Sequence, residues 1–260
     1  MSRRPTGRDR RFASRRVAAP APFTPADDPL ALLWWDPTTV SGAVTSWVDS
    51  IAGVSAAQAT TGLKPTASAT AIASTYPGVT SPDGARVLVA AGAGPVLVGK
   101  TTLTVVAAMV DSDTGVKVAL ELTTNTTITN GGMFLVVNDG GAGRLNASAR
   151  GTTNMTERFV AETLATVKVV SVGYDFATAG DGAISFIRVN GVAQSLTTQV
   201  ATSAAGSAAN AALHLFGRGP GPLLGWIGTF GNIVFRNSIA QDSGLSALET
   251  YVGARVGITI

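Results

Sequence analysis

The stretch that most narrows the folds open to this chain is its last, Leu224 to Ile260, reading LGWIGTFGNIVFRNSIAQDSGLSALETYVGARVGITI. It opens on Trp226, Ile227, Phe230, Ile233, Val234 and Phe235. Taken alternately these form two sets, Trp226, Phe230 and Val234 against Ile227, Ile233 and Phe235, and both are apolar. Side chains alternate faces along a strand, so a strand apolar on both faces is covered on both sides and lies inside a sandwich. The run stops at Arg236-Asn237-Ser238. Asp242 and Ser243 then offer caps for a short helix in which Leu245, Leu248 and Val252 repeat at i, i+3 and i+7, ending at Gly257. That stripe is too short for a coiled coil or a membrane span, so its use is to close a β core.

The rest of the chain fits this reading. Strands are predicted over Leu30–Trp35, Val44–Asp49, Arg86–Val89, Leu103–Val110, Val116–Leu122, Met133–Val137, Arg144–Ala149, Val167–Tyr174, Ile184–Val189 and Leu213–Phe216. Ser55–Ser81, rich in Ala and Thr, reads as loops holding a strand or two. Asn190-Gly191 marks a hairpin, because a type I′ turn needs two positive φ angles. Gly131-Gly132, Gly140-Gly141 and Gly180-Asp181-Gly182 mark further turns. Many short strands, one terminal helix and no βαβ alternation predict an all-β, antiparallel jelly-roll sandwich over residues 30–260.

Charge divides the chain. Arg3, Arg4, Arg8, Arg10, Arg11, Arg15 and Arg16 against Asp9 give the first sixteen residues +6, so a chain of net +3 leaves the remainder at −3. Met1–Pro29 has no apolar period and is rich in Arg and Pro, which reads as an extended basic arm and linker. The plain reading of the seven arginines is a solubilising tail, but so many of them point rather to an acidic or grooved partner surface. Nucleic acid is the weaker reading, because the arm interleaves no aromatic residue beyond Phe12 and the body adds no basic patch. Val17–Phe23 is broken by Pro20 and Pro22, too short for the apolar core of an export signal. No apolar run approaches the ~18 residues of a membrane span. With no cysteine there is neither a disulfide framework nor a thiolate metal site.

Motifs of chemistry are sparse. Gly94-Pro-Val-Leu-Val-Gly99-Lys100-Thr101 matches the phosphate-loop pattern GxxxxGK[ST]. The segment after it, TLTVVAAMV, reads as a strand, whereas a phosphate loop must open a helix. His214 is the only histidine and sits mid-strand with no GxSxG elbow, so it is expected to face solvent or to bond within the sheet. The glutamates are Glu121, Glu157, Glu162 and Glu249. Glu249 reads as surface or capping material of the terminal helix. Glu121 alone stands where a catalytic strand would present it, but no second carboxylate stands at spacing two or four, so no catalytic residue or enzyme activity is expected. Asp111 and Asp113 end one predicted strand and Asn138-Asp139 another. Asp111, Asp113 and Asp139 are therefore the candidate ligands for a calcium ion, set against the plainer reading of turn-forming residues. No other cofactor is expected.

LALLWWDP (Leu30–Pro37), VTSWVDS (Val44–Ser50) and AAQATTGLKPT (Ala56–Thr66) resemble the opening strand, the W-x-D turn and the QAT…P segment of the laminin G-like, concanavalin A-like jelly-roll family. IRVNG (Ile187–Gly191) resembles its hairpin, LHLFGR (Leu213–Arg218) its I-G-R strand, and GWIGTFGNIVFRN with SALETYVGARVGI its final strand and helix. The chain departs from the pattern at Asn232, where the family commonly has Glu, at Ser81-Pro82-Asp83-Gly84, and in lacking the paired acids of the glucanase members. The resemblance is to the form found in phage tail or virion proteins and bacterial surface proteins. It implies a non-catalytic binding or structural domain: a virion component, of tail, baseplate or head decoration, docked on other virion proteins by its arm, oligomeric within the assembly, and facing host-surface glycans. A free bacterial lectin-like or adhesive module is the alternative, and a polysaccharide-active enzyme the more distant one.

Overall fold

A computed structural model describes residues 22–112, 115–124, 129–138, 143–218 and 224–260. Two antiparallel sheets, each of nine strands among the described residues, face one another across an apolar core. The first holds β1 (Ala31–Trp35), β2 (Gly42–Ala43), β5 (Thr66–Ile72), β6 (Tyr76–Ser81), β8 (Thr102–Asp111), β13 (Lys168–Asp175), β14 (Ile184–Val189), β15 (Val192–Ala193) and β18 (Gly228–Arg236). The second holds β3 (Ser46–Val48), β4 (Ser55–Ala57), β7 (Leu88–Ala90), β9 (Lys117–Thr123), β10 (Met133–Val137), β11 (Arg144–Ala149), β12 (Thr156–Ala161), β16 (Thr197–Ala201) and β17 (Ala212–Leu215). Two α-helices are described, α1 (Ala93–Leu97) and α2 (Ser243–Ala254). Neither is long and apolar enough to cross a membrane.

The final strand lies at the centre of the first sheet, as its two apolar faces require. β18 pairs with β8 along one side and with β6 and β1 end to end along the other, and all nine of its residues are buried. Strict alternation would set Phe230 with Val234; the structure corrects this. Phe230 pairs with Met109 but Ile233 pairs with Ala107, so three steps along β18 match two along β8 and Gly231-Asn232 form a bulge. The bulge brings Phe230 onto the same face as Ile233 and Phe235, inside the sandwich, and leaves Val234 on the outer face beneath α2. Phe230 there meets Phe216 and Trp226, with ring centroids 4.9 and 4.7 Å away.

The terminal helix forms where the leucine stripe predicts it. The Asp242 side chain accepts from the Leu245 amide at 3.0 Å, and Leu245, Leu248 and Val252 pack on Val106, Ala108, Val169 and Val234 of the first sheet. Two buried ion networks fasten it. Arg236, at the end of β18, donates to Asp28 at 2.8 Å and to Asp242 at 2.9 Å. Glu249 is no surface residue: it is fully buried, accepting from Ser171 at 2.8 Å and from Arg188 at 2.8 and 3.0 Å. A helix glutamate that finds a serine and an arginine on the facing sheet is buried with its charge compensated.

The opening residues fit the same frame. Asp49 caps its turn, accepting from the amides of Ile51, Ala52 and Val54. Asp36, after β1, pairs with Arg255 beyond α2 at 3.2 Å. Asn190 and Gly191, at φ 49° and 76°, turn β14 into β15 as the hairpin signal requires. Of the predicted arm, Met1–Pro29, the seven arginines and everything up to residue 21 lie outside the described residues. Residues 22–29 run against the body, with Phe23 beside α2 and Asp28 6 % exposed.

Three features go beyond the sequence pattern. Ser55–Ser81 holds β4, β5 and β6 rather than a strand or two. β12 and β16 extend the second sheet to an edge. α1 occupies part of the phosphate-loop match.

Candidate functional site

α2 covers the outer face of the first sheet. The outer face of the second sheet carries no helix among the described residues. Residues paired directly across antiparallel strands share a face, and here the registers line up one row: Val200, Glu157, Ser148, Phe134, Glu121, His214, Val89 and Ala57. The inward neighbours of these residues, Leu120, Leu122, Leu135, Ala147, Leu213 and Leu215, make the core.

The middle of this row is buried although it lies on an outer face. Glu121 is fully buried, Ser148 is 1 % exposed, His214 4 % and Phe134 6 %. Arg218, just past β17, lies over it: its guanidinium carbon is 4.8 Å from the centroid of the Phe134 ring, and its Nε is 3.5 Å from Glu121 Oε1. Val118, Phe134 and Val136, with Met155 against them, add a small apolar cluster. At the far side of the sheet Arg144 lies 4.3 Å over the ring of Phe159. From the core side the Tyr174 hydroxyl donates to the Phe134 carbonyl at 2.8 Å, and burial pushes that phenol well above its ordinary range. Aromatic, cation and carboxylate thus lie together on a face that is buried although no helix among the described residues covers it.

Beside this row a pocket of about 400 Å³ opens at the end of β9 and the start of β17. Thr123, Thr124, Asn210 and His214 supply its polar groups, and three alanines the remainder. Burial pushes the His214 imidazole below its ordinary value, opposed by a backbone hydrogen bond with Glu121, and Nδ1 has no hydrogen-bond partner among the described residues. The expectation that His214 bonds within the sheet holds, since the ring bonds the backbone of Glu121 on the neighbouring strand; Nδ1 is the atom left without a partner among the described residues. α1 frames the pocket: a Cβ at Gly94 would come within 2.6 Å of the Asn210 side-chain oxygen. That glycine serves close packing, and Gly99-Lys100-Thr101 leads into β8 of an antiparallel sheet. The phosphate-loop match is one of letters only.

Of the three candidate calcium ligands, Asp113 and Asp139 lie outside the described residues. Asp111 accepts from Trp226 Nε1 and from Asn138 Nδ2, both at 2.8 Å. The ends of β8 and β10 therefore meet, through a hydrogen bond. No cluster of three acidic or imidazole side chains is present among the described residues. Asn232, where the resembling family commonly has Glu, is fully buried in the β18 bulge, and its Oδ1 accepts from Trp34 Nε1 at 2.8 Å. It belongs to the helix-covered face.

No protein-family model matches the sequence. No curated protein matches it either. Solved structures do share its shape. A binding domain of botulinum neurotoxin DC in complex with SialylT superposes with TM-score 0.53 at 8 % identity, over 88 % of this chain and 52 % of that one. A Trypanosoma rangeli sialidase in complex with the inhibitor DANA gives 0.54 at 13 % identity, over 88 % and 33 %. The fold is an antiparallel jelly-roll β-sandwich. The chain spans about half the length of the neurotoxin chain and a third of the sialidase chain, and at such identities the likeness is one of fold.

Proposed function

We propose that this chain is a non-catalytic glycan-binding jelly roll whose binding surface is the outer face of the second sheet, and that the basic arm attaches it to a larger assembly, a virion. The observation that carries the first half is the row Phe134–Glu121–His214 with Arg218 above it. Burying charged groups on an outer sheet face is costly for folding alone, and departures of that kind concentrate where function is built in. The Phe134 ring is itself covered by Arg218, and the hydrogen-bonding groups of the pocket beside the row suit the hydroxyl rims of sugars. Glycans are also the class to test because the named partners of proteins sharing this fold include SialylT and gangliosides.

Geometry supports a binding rather than a hydrolytic role. Glu121 and Glu157 stand in one row with two strands between them, which at ~4.8 Å per strand places their backbones about 14 Å apart. Paired glycosidase carboxylates work at roughly 5–10 Å. Glu121 is moreover paired with Arg218 at 3.5 Å.

A glycan array probed with the full chain, beside Phe134→Ala and Arg218→Ala, tests the reading. Binding by the parent that both substitutions reduce at least tenfold is expected; a chain that retains no glycan refutes it. Release of reducing sugar from a bound polysaccharide, lost in Glu121→Gln, would replace the non-catalytic reading with an enzymatic one.

A further inference from the structure

The pocket beside His214 is built unlike the rest of the face. Its lining among the described residues holds two threonines, an asparagine, a histidine and three alanines, with no carboxylate, lysine or arginine. The nearest opposite charges, Glu121 and Arg218, are turned on each other at 3.5 Å. His214 Nδ1 is buried without a partner among the described residues, an unfavourable state that a ligand group would relieve. The volume, about 400 Å³, lies at the small end of ligand pockets, the size of a short glycan terminus rather than an extended chain.

We propose that this pocket seats one uncharged sugar residue, a ligand hydroxyl or amide N–H donating to His214 Nδ1 while Thr124 and Asn210 bond its remaining polar rim and the alanine methyls pack on its apolar face. This rests on the glycan-binding reading and adds to it the location and charge class of the bound residue. The neutral imidazole fits the role, because burial disfavours its protonated form. An acidic sugar fits poorly, since its carboxylate would be desolvated with no cation on the described pocket wall.

The test is titration of the full chain, by NMR or calorimetry, with the methyl glycosides of glucose, galactose and N-acetylglucosamine and with N-acetylneuraminic acid. The same titrations are run on Asn210→Ala and Thr124→Val, both at exposed positions that leave the core intact. Expected are saturable binding of at least one neutral glycoside, a tenfold or greater loss in each variant, and no saturation by N-acetylneuraminic acid. Neutral-sugar binding that both variants retain overturns the pocket while leaving glycan binding by the face standing. Binding of the acidic sugar alone overturns the charge class. No binding by any glycan, on the array or in solution, removes both.

Discussion

His214 shows how one buried side chain links stability to acidity. The fold holds its imidazole below the ordinary value of 6.5 because burial disfavours the charged form. The unfolded chain therefore binds the proton more readily than the folded one, so the contribution is present above about pH 6.5 and is lost as pH falls toward the depressed value. Urea midpoints measured from pH 8 to pH 5 should fall for the parent, and His214→Gln should show a shallower fall. Equal slopes would show that the ring is not held neutral. Glu249 makes the complementary case. Replacing it with Ala leaves Arg188, whose side chain is 17 % exposed, facing an empty site beneath α2, and should cost about 3 kcal/mol, read as a lowered urea midpoint. A loss under about 1 kcal/mol would mean that solvent takes over the pairing.

At the scale of elements, β18 shows both what sequence pattern conveys and where it stops. Its apolar character on both faces, the leucine stripe of α2, the Asp242 cap and the Asn190-Gly191 turn are local signals, and each appears in the structure. The Gly231-Asn232 bulge is not local: it shows only when β18 is laid against β8. Deleting Gly231 would leave Phe230 and Ile233 two residues apart, matching the two steps from Met109 to Ala107 on β8 and keeping both on the core face of a regular strand. The expected result is a chain that still unfolds cooperatively, and loss of that transition would show that the bulge does more than set the alternation. The candidate site is hidden from sequence for the same reason. Glu121 and His214 are each visible as strand residues, but their adjacency depends on β9 pairing with β17, far along the chain. β12 is hard to read because Thr156-Glu157-Arg158 is polar on both faces, and β16 because as an exposed edge strand it carries no apolar alternation.

The whole molecule combines a body of net charge −3 with a sixteen-residue segment of +6, and the proposed roles divide the same way, sugar binding in the jelly roll and attachment in the arm. That division is tested by cutting the chain, and the place of the cut decides whether the result can be interpreted. Removing residues 1–29 would take away Asp28, which pairs with the 2 %-exposed side chain of Arg236. Stripping a buried arginine of one partner costs on the order of 3 kcal/mol, so a failure of the shortened protein would confuse lost attachment with a weakened fold. Removing residues 1–21 takes all seven arginines and spares Phe23, Asp28 and the 3-10 turn Pro25–Asp27. The protein lacking 1–21 is expected to keep the parent's unfolding midpoint and sugar affinity while failing to enter particles. Attachment of the full chain should weaken as salt rises, since exposed charges are screened beyond ~8 Å at physiological ionic strength. Incorporation equal to the parent's, with the fold intact, would move attachment from the arm to the body.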